Sequence, residues 1–156
     1  MKVAVFGQTL YSGVLSALLA ECGHQVFWCE LLKKPMYEQA YIHDDAVKQL
    51  IDKQQNNGFL QYCTFEDIDL DIDAYFFSFN PTEENQALEI LKQLKQRPII
   101  HPKLMINVST LGLHGTEKFE KILPEDDWVY LPDMIQEGNA LQSLTQTKQL
   151  IVGCIS

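Results

Sequence analysis

The sequence predicts an α/β fold: a doubly wound, mostly parallel sheet with helices on both faces. Three observations carry that expectation. Apolar runs of strand length alternate with segments of helical period along the whole chain. The strand runs are apolar throughout, as strands covered on both faces must be. The chain also opens with "KVAVF" (Lys2–Phe6), a glycine at Gly7 and then a helical stripe, the strand–turn–helix order of an open parallel sheet.

The elements follow in order. Lys2–Phe6 is a short apolar strand bounded by Gly7. Leu10–Cys22 reads as a helix whose inward stripe is Leu10, Val14, Leu15, Leu18, Leu19 and Cys22, closed by Gly23. Gln25–Cys29 ("QVFWC") is the second strand. Asp44–Gln55 is a helix with Ala46, Val47, Leu50 and Ile51 inward, ended by Asn56-Asn57-Gly58. Leu60–Phe65 and Ala74–Phe79 ("AYFFSF") are the third and fourth strands. The acidic run Glu66–Asp73 between them is a solvated loop. Thr82 begins a helix with Glu83 and Glu84 in its first turn and Lys92 and Lys95 near its end, the order the helix dipole favours. Leu104–Val108 is a fifth strand, Thr116–Leu123 a short helix, Trp128–Leu131 a sixth strand and Gln149–Val152 ("QLIV") a last one.

Length and composition set limits on function. The 156 residues suit one domain, residues 1–156, with 46% hydrophobic and 21% charged residues. No apolar run approaches the ~20 residues of a membrane span, so a cytoplasmic protein is expected. The net charge of −9, from 21 acidic against 12 basic residues, argues against nucleic acid as a partner. Arg97 is the sole arginine, so an anionic ligand must rely on backbone N–H groups and a helix N-terminus. Cys22, Cys29, Cys63 and Cys154 form no CxxC pair, which argues against a zinc site and a disulfide framework. All four read as buried thiols. His24, His43, His101 and His114 lack ligand spacing, so no metal is expected.

The first turn, "VFGQTLYSG" (Val5–Gly13), is the candidate cofactor site of a Rossmann-type domain. In the pattern G-x-G-x-x-G the first glycine makes the turn, the second admits the pyrophosphate and the third lets helix pack on strand. Those positions are Gly7, Thr9 and Ser12 here. Gly7, Gln8, Thr9, Leu10 and Tyr11 are then the candidate cradle for the pyrophosphate. Thr9 sets a β-branched side chain where the phosphates should sit. Glu30, at the end of the second strand and about 20 residues beyond Gly7, would accept hydrogen bonds from the ribose hydroxyls and repel a 2′-phosphate. The cofactor expected is NAD, not NADP.

Blocks along the whole chain resemble the N-terminal NAD-binding domain of the UDP-glucose/GDP-mannose dehydrogenase family. "LLAECGHQVFWCE" (Leu18–Glu30) resembles the family's "LAELGHEVTCVD", and "KPMYEQ" (Lys34–Gln39) resembles "PIYEPG". "INVSTLGLHGTEKFEKIL" (Ile106–Leu123) is similar to "VNKSTVPVGTTEKVRKIL". "LPDMIQEGNALQSL" (Leu131–Leu144), followed by "QLIVG", is similar to "NPEFLREGSAVEDF" followed by "RIVIG". The resemblance implies oxidation of the C6 alcohol of a nucleotide sugar, of the UDP-glucose or GDP-mannose type, to a carboxylate. Two NAD molecules serve in succession, through a thiohemiacetal on a cysteine. It implies that Thr110 touches nicotinamide and catalytic water, and that Asp133 and Glu137 match two glutamates of the substrate-side stretch Pro132–Gly138. It implies too that the family's middle and C-terminal domains, with the nucleophilic cysteine, are absent from this chain, so that a catalytic half is missing.

The sequence departs from the family pattern at several points. Thr9 and Ser12 replace glycines, Gln136 an arginine, and Gly112 and His114 a proline and a glycine. "SFNP" (Ser78–Pro81) is short, which moves the threonine expected after strand four to Thr82. Thr110 could instead cap the segment after its strand, Asp133 satisfy free N–H groups, and Glu137 be a solvated residue. Tyr37 and Tyr41 read as packing residues. A second class therefore stays open: a binding or interaction module of the same descent that has lost its cofactor.

Overall fold

The computed structural model describes residues 1–29 and 43–154. Glu30, Tyr37, Tyr41 and the "KPMYEQ" block lie outside the described residues.

Seven strands form one sheet in the order β3-β2-β1-β4-β5-β6-β7. They are β1 (Lys2–Phe6), β2 (Gln25–Cys29), β3 (Leu60–Cys63), β4 (Ala74–Phe77), β5 (Leu104–Asn107), β6 (Asp127–Tyr130) and β7 (Gly153–Cys154). The first six are parallel, and β7 pairs antiparallel with β6. The helices are α1 (Leu10–Glu21), α2 (Asp45–Asn56), α3 (Glu84–Gln96), α4 (Gly115–Glu120) and α5 (Ala140–Thr145).

Period-two alternation divides the core. Val3, Val5, Val26, Trp28, Phe76 and Ile106 pack against α1, α2 and α5. Ala4, Phe6, Phe27, Tyr75, Phe77 and Met105 pack against α3 and α4. Both faces are covered, so the expected doubly wound architecture is observed.

The face that α1 buries differs from the expected leucine stripe. Its buried residues are Tyr11, Ser12, Gly13, Val14, Ser16, Ala17 and Ala20, while Leu10, Leu15, Leu18 and Leu19 are partly buried at the flanks. Small residues face the sheet so that the helix can approach it, and the long side chains fill the gaps beside it.

Local propensity misplaced several boundaries. The run Gln149–Val152 is not a strand, and Ile151 is 68% exposed. The ladder with Val129 and Tyr130 is made by Cys154 and Gly153 instead, because a strand is defined by its partner and not by its apolar content. Pro81 opens a single 3₁₀ turn, Pro81–Glu83, before α3. Asn80 N–H donates to Glu83 Oε2 at 2.8 Å in its capping box. The third strand stops at Cys63, and a 3₁₀ turn follows at Phe65–Asp67. Cys29 and Cys63 are buried as expected. Cys22 and Cys154 are exposed, since Cys22 is the C-cap of α1 and Cys154 lies on the edge strand.

The acidic loop is solvated at its carboxylates but anchored by buried Ile68 and Ile72. Lys2 Nζ bridges Asp69 and Asp71 at 2.7 and 2.9 Å. Arg97, the sole arginine, donates to the carbonyls of Phe65 (2.8 Å) and Ile68 (2.6 Å) and lies over the Phe65 ring. It is committed to holding a loop. No helix among the described residues is long and apolar enough to cross a membrane.

Candidate functional site

Sheet order places the site. The chain winds outward from β1 to β2 and β3 on one side, and from β4 to β5 and β6 on the other. The carboxyl ends of β1 and β4 therefore flank the switch point where open parallel sheets bind ligands.

Gly7 makes the turn out of β1 at φ +108°, and a Cβ there would lie 1.7 Å from the Ser78 carbonyl oxygen at the exit of β4. Ser78 N–H donates to the Phe6 carbonyl (2.9 Å), and the Trp28 indole N–H donates to the Gly7 carbonyl (2.8 Å). Three strands thus lock the turn. Thr9 follows as N-cap of α1 in extended backbone, φ −98° and ψ 164°, so this second-glycine position demands no left-handed geometry.

What Thr9 changes is the donor supply. Its Oγ1 accepts from Ser12 N–H (3.1 Å). Ser12 Oγ accepts from Thr9 N–H (2.9 Å) and donates to the Thr9 carbonyl (2.8 Å). This capping box consumes two of the N–H groups at the helix start. Thr9 Oγ1 also meets Ser78 Oγ at 2.5 Å, a hydroxyl bridge between the β1 and β4 exits.

Donors do remain. Among the described residues the N–H groups of Gln8, Leu10 and Tyr11 meet no protein acceptor, and the buried Gln8 Nε2 has no partner. The first turn of α1 carries no acidic residue. Three open N–H groups, an orphaned amide and the positive end of a 12-residue helix fit the diphosphate of a dinucleotide.

The other predicted residues divide between two places. Glu137, exposed, lines a cleft of about 410 Å³ with Leu10, His43, Asp44 and Gly138. Asp133 accepts from Ile135 N–H (2.9 Å), and its carboxylate reaches Tyr11 electrostatically. The 131–138 loop therefore lies over the start of α1, and Leu10, Tyr11, Asp133 and Glu137 converge. Thr110 does not join them. It is exposed and lines a separate cleft of about 600 Å³ with Tyr130, His114 and Cys154, at the ends of β5 and β6. It caps no element. The residue that ties this loop down is its neighbour Ser109, which donates to the Phe77 carbonyl and accepts from Phe79 N–H, each at 3.0 Å. Thr82 is exposed on the 3₁₀ turn before α3.

Sequence reasoning missed Ser78, Trp28 and Ser109. Each acts across strands distant in sequence, and nothing local to those residues signals it. His101 and His114 each hydrogen-bond a carboxylate, of Asp126 and Glu117, at 2.7 Å.

Burial, then Asp133, pushes the Tyr11 hydroxyl up to about 12, and burial does the same for Tyr75. The unfolded chain ionises these groups near 10. Their stabilising contribution is full below pH 10 and is lost as pH rises through 12, by roughly 2 kcal/mol per tyrosine. Urea unfolding between pH 9 and 12 should show this fall, and Tyr11→Phe and Tyr75→Phe should each flatten it. An equally steep profile in both variants would contradict the assignment.

Strand order, switch point and glycine turn define a Rossmann-type domain. The comparisons with known proteins agree. The fold superposes on UDP-D-ManNAc dehydrogenase from Pyrococcus horikoshii with a TM-score of 0.78 at 14% identity, over 99% of this chain and 41% of that one. For GDP-mannose dehydrogenase from Pseudomonas aeruginosa the TM-score is 0.79 at 15% identity, over 99% and 41%. For a UDP-glucose dehydrogenase from Pyrobaculum islandicum it is 0.76 at 15% identity, over 98% and 40%. At these identities the likeness establishes the fold, and the chain spans about two fifths of the length of each neighbour. Neither a protein-family profile nor a curated protein sequence matches the chain.

Proposed function

We propose that this chain is the NAD-binding domain of a cytoplasmic nucleotide-sugar 6-dehydrogenase, acting on a UDP-glucose or GDP-mannose type of substrate with a catalytic half outside this domain. The observation that carries the reading is the α1 N-terminus, opening at the β1/β4 switch point with the Gln8, Leu10 and Tyr11 N–H groups unclaimed. Those groups would hold the pyrophosphate, the Glu30 carboxylate the ribose hydroxyls, and Thr110 the nicotinamide side. When bound, NAD supplies a hydride acceptor. Asp133 and Glu137 would face the substrate. Their carboxylates stand near the helix start, so they must be held apart from the diphosphate or neutralised by the partner half.

A second reading keeps the fold and drops the cofactor, leaving an interaction module. The Thr9–Ser12 capping box and the Thr9–Ser78 bridge favour it, because both use polar groups that a pyrophosphate would otherwise engage.

Calorimetric titration with NAD separates the two. The first reading expects binding at micromolar to millimolar Kd, weakened about tenfold or more by Glu30→Ala, as loss of a hydrogen-bonded charge implies. Silence from the native chain with binding in Thr9→Gly would establish the second. Silence from both would exclude NAD binding by this domain on its own.

A further inference from the structure

Cys29 and Cys63 are separated by 34 positions in sequence, and nothing local pairs them. The sheet does. They are register partners at the carboxyl ends of β2 and β3, their sulfurs are 3.6 Å apart, and both side chains lie in the core on the α3 face. We infer that Cys29 and Cys63 are a redox-modification site, a dithiol that a hydroperoxide converts into a disulfide across β2 and β3. This inference is independent of the proposed cofactor.

The geometry meets the requirements of the bond. Neighbouring strands stand about 4.7–4.9 Å apart, inside the 4.4–6.8 Å Cα separation of disulfides. The sulfurs must close from contact distance to about 2.05 Å, with the Cβ atoms about 3.5–4.5 Å apart. The two thiols also differ in readiness. Cys63 is 8% exposed and Cys29 fully buried. The hydrogen bond with Cys29 holds the Cys63 thiol below its ordinary range, while burial pushes Cys29 up. The Arg97 guanidinium, fixed on the Phe65 and Ile68 carbonyls, adds positive charge that favours both thiolates, while burial and the Asp67 and Asp69 carboxylates oppose that of Cys63.

The chemistry balances in two steps. The Cys63 thiolate attacks one oxygen of the hydroperoxide, the O–O bond breaks, and the departing oxygen takes a proton to leave as water or an alcohol. The Cys63 sulfur is then a sulfenic acid. The Cys29 sulfur attacks it, the S–O bond breaks, and the hydroxyl leaves as water with the Cys29 proton. The two sulfurs are oxidised and the peroxide is reduced.

The test uses the full chain carrying Cys22→Ser and Cys154→Ser, which removes the exposed thiols. One equivalent of hydrogen peroxide should abolish thiol titration of the unfolded protein, lower its mass by two hydrogen atoms and yield a linked Cys29–Cys63 peptide. Dithiothreitol should reverse all three. Adding Cys29→Ser should leave a Cys63 sulfenic acid that a 1,3-diketone probe traps. Peptide mapping of the unsubstituted chain gives the same answer where a variant fails to fold. Persistence of both thiols, or overoxidation of Cys63 beside a reduced Cys29, would overturn the inference.

Discussion

Gly7→Ala is expected to lower the unfolding free energy by about 3 kcal/mol or more, through two separable causes. The first is conformational: φ +108° lies where an L side chain is strained. The second is contact: the new methyl would sit 1.7 Å from the Ser78 carbonyl oxygen, so the β1 and β4 exits must part. Ser78 is backbone held by Phe6 and cannot swing away as a side-chain tip would. Gly23 is the control. Its φ is +87°, but a Cβ there meets nothing within 4 Å. Gly23→Ala should therefore cost only about 1 kcal/mol. Urea unfolding of the two variants measures the difference. Equal costs would mean that the approach of β4 to Gly7 carries no energetic weight.

Phe77→Ala should cost about 3–5 kcal/mol, the range for emptying a fully buried aromatic site. The ring is wholly buried and packs on Phe6, Trp128 and Phe119, with centroids 5.5, 5.6 and 6.0 Å away. It thereby joins β1, β4, β6 and α4 in one aromatic layer beneath the switch point. The layer cannot collapse into the gap, because its members are anchored on different strands. Phe77→Leu, which leaves a smaller void, should cost less than half as much. The Phe77 carbonyl also receives Val108 N–H and Ser109 Oγ, so the variant should loosen the loop that carries Thr110. Faster amide exchange in residues 108–111, beyond the global loss of stability, checks this. An unfolding cost under ~1 kcal/mol would contradict the packing account.

Thr9 shows how one residue can change the polar groups offered by a glycine turn without disturbing the fold. In extended backbone it pays no conformational penalty, and its hydroxyl improves the helix cap. The same hydroxyl also reaches Ser78 across the crevice. The cap and the bridge use the Thr9 and Ser12 N–H groups and the hydroxyls of Thr9, Ser12 and Ser78. They leave the N–H groups of Gln8, Leu10 and Tyr11 open, so a Thr9→Gly substitution discriminates between the two functional readings.

Much of the fold was legible in the sequence because alternating apolar runs leave little choice. A strand of valines and phenylalanines must be covered on both faces, and the intervening periods supply the helices that cover it. The Gly7 turn and the acidic loop were visible for equally local reasons: a positive φ needs glycine, and a run of aspartates needs water. Boundaries failed where a local rule met a partner's demand. "QLIV" has every property of a strand except a neighbour to pair with, and the leucines of α1 gave way to Ala17 and Ala20 because the sheet stood too close.

By itself, then, the sequence determined the architecture, the place of the turn and the presence of a single guanidinium, Arg97. Those depend on side-chain chemistry and short-range periodicity, which every residue carries with it. The tertiary structure alone decided that Thr9 bridges to Ser78, that Asp133 and Glu137 converge on α1 while Thr110 stands apart, and that Cys29 meets Cys63. Each of these is a contact between residues far apart in the chain, created by strand order and register, and no local pattern encodes strand order.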